Sequence, residues 1–289
     1  MPEGEYGTGM RLKLMRILLA VLLLAPAPRD MREVRLSLPK RPADAPTGSA
    51  FRDRIATRPL AERETAVIGE ITRGNVPEFL RRLKPIAVEC TDETGARHAG
   101  TCFVTADYLG VGSDEDFFRI PLTPQAAVAI ADAAGGTLLT AKLSDDVFRA
   151  ADLNLEPKPL TQDRESVATF FQHHQIIEDQ LRGKPRGALV AGIKKDIVWT
   201  NRLQEKPRKV AIYGWHYPDG RPIQPLYVGH WDRYVDYSHG LRLLAREMVV
   251  DGRTVAVTDV LRDGRLRGLV TCEGPTDIDQ LRRTSEWDR

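Results

Sequence analysis

The sequence predicts an α+β protein: helices packed on a mainly antiparallel sheet, with an N-terminal β-hairpin unit. Three observations lead there. The segments "PIAVEC" and "AGTCFV" flank a short polar connection and read as a hairpin. Stretches with helix start signals and helical periodicity follow. From Gly187 onward, segments rich in β-branched and aromatic residues alternate with turn residues. No βαβ alternation of the doubly wound kind runs along the chain.

The chain has 289 residues, enough for one large domain or two small ones. Near its start, "MRLKLMRILLAVLLLAPAPRD" begins at Met10, an alternative start. Arg11, Lys13 and Arg16 precede an apolar run over 17–25, and small residues and Pro follow it. That is the layout of a secretory signal peptide. Residues 1–27 are therefore expected to be removed, leaving a secreted, periplasmic or cell-envelope protein. The apolar run has about half the length of a bilayer span, so no stable membrane span is expected afterwards. Residues 28–74 are rich in Pro, Arg and Ala without sustained periodicity, and are expected to form a linker or disordered stretch. A single domain over 75–275 and a polar tail over 276–289 complete the division.

Within the domain, Cys90 and Cys102 fall in the two hairpin segments. A turn centred near Ala96 would set them opposite one another, bridged or buried, and leave Cys272 free. The competing role is a catalytic thiol at Cys102. In "LTPQAAVAIADAAGG", Thr123 is the expected N-cap, Pro124 the first helical residue and Gly135-Gly136 the stop. In "KLSDDVFRAADL", Ser144 is the expected cap, and Asp145 and Asp146 suit the positive helix end. A longer helix is expected over 163–182. His174 would lie on its apolar stripe with Val167, Phe170, Phe171, Ile177 and Leu181, while His173 would point aside. The strands "GALVAGI", "DIVWT", "RKVAIYGWH" and "QPLYVGHWDRYVDYS" follow, with "YPDG" as a hairpin turn. "EMVVDGRTVAV" is a second hairpin, with Asp251-Gly252 at its tip.

Net charge is only +2, so bulk charge gives no reason to expect a nucleic-acid partner. The basic runs at 194–195 and 206–209 are short enough to be solvated loops. GxSxG, Gly-rich phosphate loops, HExxH and CxxC are all absent. Asp114, Glu115, Asp116 and Arg119 are close in sequence and read as a solvated acidic loop, with a paired-carboxylate site as the alternative.

What stands out is a concentration of polar groups in the β region. In a regular strand, the even spacing of His230, Asp236 and Ser238 sets all three on one face, and a turn at Gly240 brings His239 round to them. His216 is expected to meet His230, Asp236 and His239 across neighbouring strands, with Lys195 at the rim of the site. The expected catalytic set is therefore His239, Asp236, His230, His216, Ser238 and Lys195. His239 or His230 would act as base, Asp236 would orient it, and Lys195 would offset a developing negative charge. Trp215, Tyr213, Tyr237 and His174 are the expected substrate contacts. No cofactor is required, and a divalent metal on the histidines is a second choice because no pair has a familiar ligand spacing.

"VAIYGWH", "PIQPL" and "YVDYSHG" together resemble a pattern in uncharacterised exported bacterial proteins, over about 86–275. The resemblance implies export and no particular activity. Compartment and polar cluster together suggest a secreted hydrolase acting on an extracellular polymer, peptidoglycan or polysaccharide, through a His/Asp acid–base site. The alternative is a non-catalytic envelope protein that binds glycan or peptide through Trp199, Trp215, Trp231 and nearby tyrosines.

Overall fold

The structure is a computed structural model, and it describes residues 33–287. Its chain begins with helices α1 (Gly48–Ile55), α2 (Leu60–Thr72) and α3 (Glu78–Arg81), then strands β1 (Leu83–Thr91), β2 (Arg97–Thr105), β3 (Gly110–Gly112) and β4 (Phe117–Arg119). The middle holds α4 (Pro124–Ala133), β5 (Gly136–Thr140), α5 (Ala141–Ala150), β6 (Leu153–Asn154), α6 (Val167–Leu181) and β7 (Val190–Ala191). Strands β8 (Lys195–Trp199), β9 (Ile212–His216), β10 (Pro222–Tyr227), β11 (His239–Gly240), β12 (Leu243–Ala245), β13 (Glu247–Val250) and β14 (Arg253–Ala256) follow. Helices α7 (Val257–Arg262) and α8 (Ile278–Ser285) close the chain.

Ten strands form one sheet in the order β10-β9-β8-β5-β12-β2-β13-β14, with β1 on β2 and β11 on β8. Within it, only the β5–β8 and β8–β11 pairs are parallel. The architecture is thus α+β with a mainly antiparallel sheet. Strand β5, "GTLLT", has no counterpart among the expected strands because a Gly stop and a helix start leave it only five residues. It nevertheless lies mid-sheet with Leu138 and Leu139 buried, and the chain returns to its parallel neighbour β8 only after α5 and α6.

Several local expectations hold. Thr123 caps α4, its side chain accepting from the Ala126 amide at 3.4 Å. The "YPDG" turn joins β9 to β10, closed by the Tyr217 amide donating to the Arg221 carbonyl at 2.9 Å. Asp251 and Gly252, with φ of 48° and 80°, make the primed turn between β13 and β14.

Others are corrected. Residues 33–74 are not a linker. Thr47 caps α1, and Phe51 and Ile55 of α1 and Val67 and Ile71 of α2 are fully buried in the core. Their i, i+4 spacing is helical, but the Pro-, Arg- and Ala-rich composition of the stretch around them masks it. Nor are residues 276–287 a loose tail. Asp277 caps α8, and Trp287 stacks on Trp199 with ring centroids 5.0 Å apart while its Nε1 donates to the Lys209 carbonyl at 2.9 Å. The expected signal peptide, residues 1–27, lies outside the described residues. Among the described residues no helix is long and apolar enough to cross a membrane.

The hairpin register corrects the cysteine pairing. The β1–β2 turn closes over 92–96, so Cys90 faces His98 and Cys102 faces Ile86. Cys102 is buried with Sγ 4.0 Å from Met248 Sδ, and all three cysteines are free. Burial pushes the Cys102 thiol up to about 12, which leaves it without the thiolate a nucleophile needs.

Candidate functional site

Strand β8 divides the expected site. Successive strand residues project to opposite faces, so Lys195 and Asp196 serve different sides of the sheet. Register then sorts their neighbours. His239 pairs with Lys195 across the parallel β11, and Tyr213 pairs with Asp196 across the antiparallel β9.

On the Asp196 side sits α5. Strand β5 turns directly into this helix because Thr140 is both its last residue and the helix cap, accepting from the Leu143 amide at 3.3 Å. Ser144 is therefore not the cap. It lies within the helix, buried, and its Oγ donates to Asp196. The next residue, Asp145, gathers two side chains from β9. His216 Nε2 lies 2.8 Å from Asp145 Oδ1, and Tyr213 Oη donates to the two carboxylate oxygens at 2.9 and 3.0 Å. Phe148, one turn along α5, stacks on His216 with centroids 4.6 Å apart.

Tyr213 and His216 are three residues apart, an odd spacing that would set them on opposite faces of a regular strand. They converge because the backbone between them is not regular. Gly214 has φ 105° and Trp215 has φ 57°, a left-handed value that costs a side-chain-bearing residue about 1–2 kcal/mol. The Trp215 amide still donates to the Lys194 carbonyl at 3.0 Å, so the strand keeps its place while His216 is swung onto Asp145.

Beside this group lies a cavity of about 390 Å³, lined among others by Asp145, Tyr213, Phe148, Arg149, Asn154 and Asp219. Asp145 forms part of the wall and is 32% exposed, whereas His216 is 3% exposed behind it. Burial and the Asp145 carboxylate both raise the Tyr213 phenol, so it stays a proton donor. Asp219, another residue of the lining, is held low by bonds from the Arg221 amide and guanidinium and stays ionised. Arg149 supplies positive charge at the wall and pairs with Asp146.

The other face collects His239, Asp236, Ser238, His230 and Lys195, but not as a strand. β10 ends at Tyr227, and the chain then runs irregularly to β11. Asp236 accepts from the Ser238 amide at 2.8 Å and from Ser238 Oγ, from Tyr234 Oη at 2.8 Å, and from Arg164 at 2.6 Å. These bonds make Asp236 the knot of a turn, not the orienting partner of a histidine. His239 is fully buried, neither ring nitrogen has a hydrogen-bond partner among the described residues, and burial is the main cause lowering it to about 3. A neutral, enclosed imidazole of that kind is a poor base near neutral pH. His230 instead stacks on Tyr234 at 4.2 Å, and the Lys195 ammonium lies 5.2 Å over the Trp215 ring. His216 therefore does not approach His230 and His239, because it faces the opposite side of the sheet, and Lys195 cannot serve the Asp145 cavity.

Of the expected substrate contacts, Tyr213 lines the cavity. Tyr237 is buried and accepts from the Leu160 amide at 2.7 Å. His174 packs in the core, with Nδ1 3.1 Å from an Arg119 guanidinium nitrogen. Its neighbour His173, expected to point aside, is fully buried. Trp215 and Trp199 are buried, and of the three tryptophans expected to form a binding surface only Trp231 is exposed, with the Lys209 ammonium 3.5 Å from its ring centre. In the acidic loop, Asp116 accepts from the Ser49 amide and hydroxyl and so holds the start of α1.

Asp145 is the residue sequence reasoning missed. Two adjacent acids after a Ser looked like helix-start chemistry, and only the fold shows that one of them faces β9. Among the described residues no group of three or more His, Cys, Asp or Glu is arranged to hold a metal ion, so the metal alternative has no ligand set there. No family model, no curated protein and no solved structure matches the chain.

Proposed function

We propose that the protein is an exported hydrolase of an extracellular polymer, peptidoglycan or polysaccharide, with Asp145 as general base and His216 and Tyr213 as the residues that position it. One observation supports this above the others: a carboxylate at the wall of a solvent-facing cavity, held by a buried imidazole behind it and a phenol beside it in the lining. Asp145 takes a proton from water as the water oxygen attacks the scissile carbon, and returns it to the leaving group. His216 shares the charge through Nε2, and Arg149 faces the oxygen on which negative charge develops. Aromatic and proline faces mixed with Asn154 and Asp219 suit a sugar or peptide segment, which offers both apolar faces and hydroxyl or amide groups. Burial of Trp199 and Trp215 weighs against the aromatic-surface alternative. Export is supported by the N-terminal sequence pattern alone.

The test is release of soluble fragments from peptidoglycan and polysaccharide panels. Asp145→Asn should lower kcat about 100-fold or more with an unchanged thermal midpoint. His216→Gln, a positioning change, should lower it less and shift the pH profile. Full activity in Asp145→Asn, or no turnover by the intact protein on either panel, would overturn the proposal.

A further inference from the structure

Away from Asp145, a second cavity of about 460 Å³ is lined by Arg52, Arg58, Arg63, Ala56, Thr57 and, from the start of α6, Ser166, Val167, Ala168 and Phe171. Three of these residues are arginines and none is acidic. Arg63 carries the strongest signal. It is only 7% exposed, and its one hydrogen bond is a long 3.5 Å contact from Nη1 to the Glu165 carbonyl, so Nε and Nη2 have no partner among the described residues. Its guanidinium lies 5.1 Å over the Phe170 ring, and burial lowers its pKa despite the charges of Glu64 and Glu165 nearby. Its spare donors keep access to the cavity, where an anion's oxygens would complete them.

The rest of the wall fits the same ligand. Arg52 is bound on one side to Asp53 and stacks over Phe171 at 4.3 Å. Arg58 is exposed, and among the described residues its Nε donates to the Arg54 carbonyl at 3.1 Å. The first two amides of a helix have no acceptor within it, and here they belong to Val167 and Ala168 of the 15-residue α6, both in the cavity wall. The planar forks of arginine match phosphate oxygens in pairs. The cavity is of the size that holds small organic ligands, and Ala56, Val167, Ala168 and Phe171 give it an apolar side.

We infer that this cavity binds a small organic phosphate, with its phosphoryl group on Arg63, Arg58 and the start of α6 and its carbon skeleton against Val167 and Phe171. The site is independent of Asp145 and of the hydrolase role. The experiment is calorimetric titration of the full chain with glycerol 3-phosphate, inorganic phosphate and glycerol. Saturable binding of both phosphates that weakens with added salt, tighter for glycerol 3-phosphate and absent for glycerol, is the expected result. Arg63→Gln should weaken it about tenfold or more, the scale of one lost charge-assisted contact. Arg58→Gln, an exposed change that spares folding, should weaken it several-fold. Equal affinity for the two phosphates would overturn the organic ligand in favour of a free ion. No saturable binding of either, or binding untouched by both substitutions, would overturn the site altogether.

Discussion

Replacing Gly214 with Ala tests whether the convergence of His216 and Tyr213 on Asp145 is what the backbone irregularity of β9 is for. Two costs arise. The first is conformational: φ at Gly214 is 105°, a region that a side-chain-bearing residue adopts only at about 1–3 kcal/mol. The second is steric. A Cβ there would lie 3.1 Å from Ser144 Oγ, 3.2 Å from His216 Cε1 and 3.5 Å from His216 Nδ1. Neither neighbour is free to retreat, since Ser144 is tied to Asp196 and His216 to Asp145. Moving one of them by a few tenths of an ångström adds about 1 kcal/mol, for a total of about 2–4 kcal/mol. Gly252→Ala is the control: φ is 80°, yet nothing lies within 4 Å of the added methyl, so it reports the conformational cost alone. Urea midpoints of the two variants, compared with the wild type, separate the terms. Polymer turnover should fall at least tenfold in Gly214→Ala and stay unchanged in Gly252→Ala. If Gly214→Ala is no less stable than Gly252→Ala and turns over normally, His216 is not held where the chemistry needs it, and the site assignment fails.

Acid stability should follow the Arg119 network. Burial alone would raise the Glu178 carboxyl, but the Arg186 and Arg119 guanidiniums outweigh it and hold it at about 2 from an ordinary 4.5. A depressed carboxylate stabilises the fold fully above about pH 4.5, and that stabilisation is lost as pH falls toward about 2. Because the side chain is 24% exposed, solvent screening leaves about 2 kcal/mol of the shift. Urea midpoints at pH 7 and pH 3 should converge in Glu178→Gln relative to the wild type, and an identical pH dependence in both would refute this. Thiol titration of the denatured, unreduced protein should count three free thiols per chain, with only Cys272 reacting fast in the native state. A count of one would restore the Cys90–Cys102 bridge.

Much of the fold was legible because it is written in local signals. Thr123-Pro124, the "YPDG" turn and Asp251-Gly252 each act within four residues, and each lies where its chemistry predicts. What failed was inference from composition and from the shortest elements. The apolar stripes of α1 and α2 sit in a stretch whose overall Pro-, Arg- and Ala-rich composition reads as a linker, and Trp287 anchors α8 to Trp199 by a contact 88 positions away in sequence. Strand β5 is mid-sheet yet too short to show a period. For β5 and Trp287 the deciding contact is non-local, and periodicity cannot report it.

The site failed and succeeded for a related reason. Even spacing set His230, Asp236 and Ser238 on one face only if the segment was a strand, and the segment is instead knotted by Asp236 into a turn. That knot has a cost that explains the polar density without catalysis: a buried carboxylate needs several donors, and Ser238, Tyr234 and Arg164 are those donors. His216 and Tyr213, by contrast, have the wrong spacing for a common face and share one anyway, because Gly214 and Trp215 leave the β region. Local strain of this kind persists only where surrounding contacts over-determine it. Here those contacts are the Lys194 carbonyl on the Trp215 amide and the Asp145 carboxylate on both side chains. A strand built for packing alone would have no reason to retain a left-handed tryptophan. The strained dipeptide, more than the richest polar motif, is therefore what marks the Asp145 cavity as the place to look for turnover.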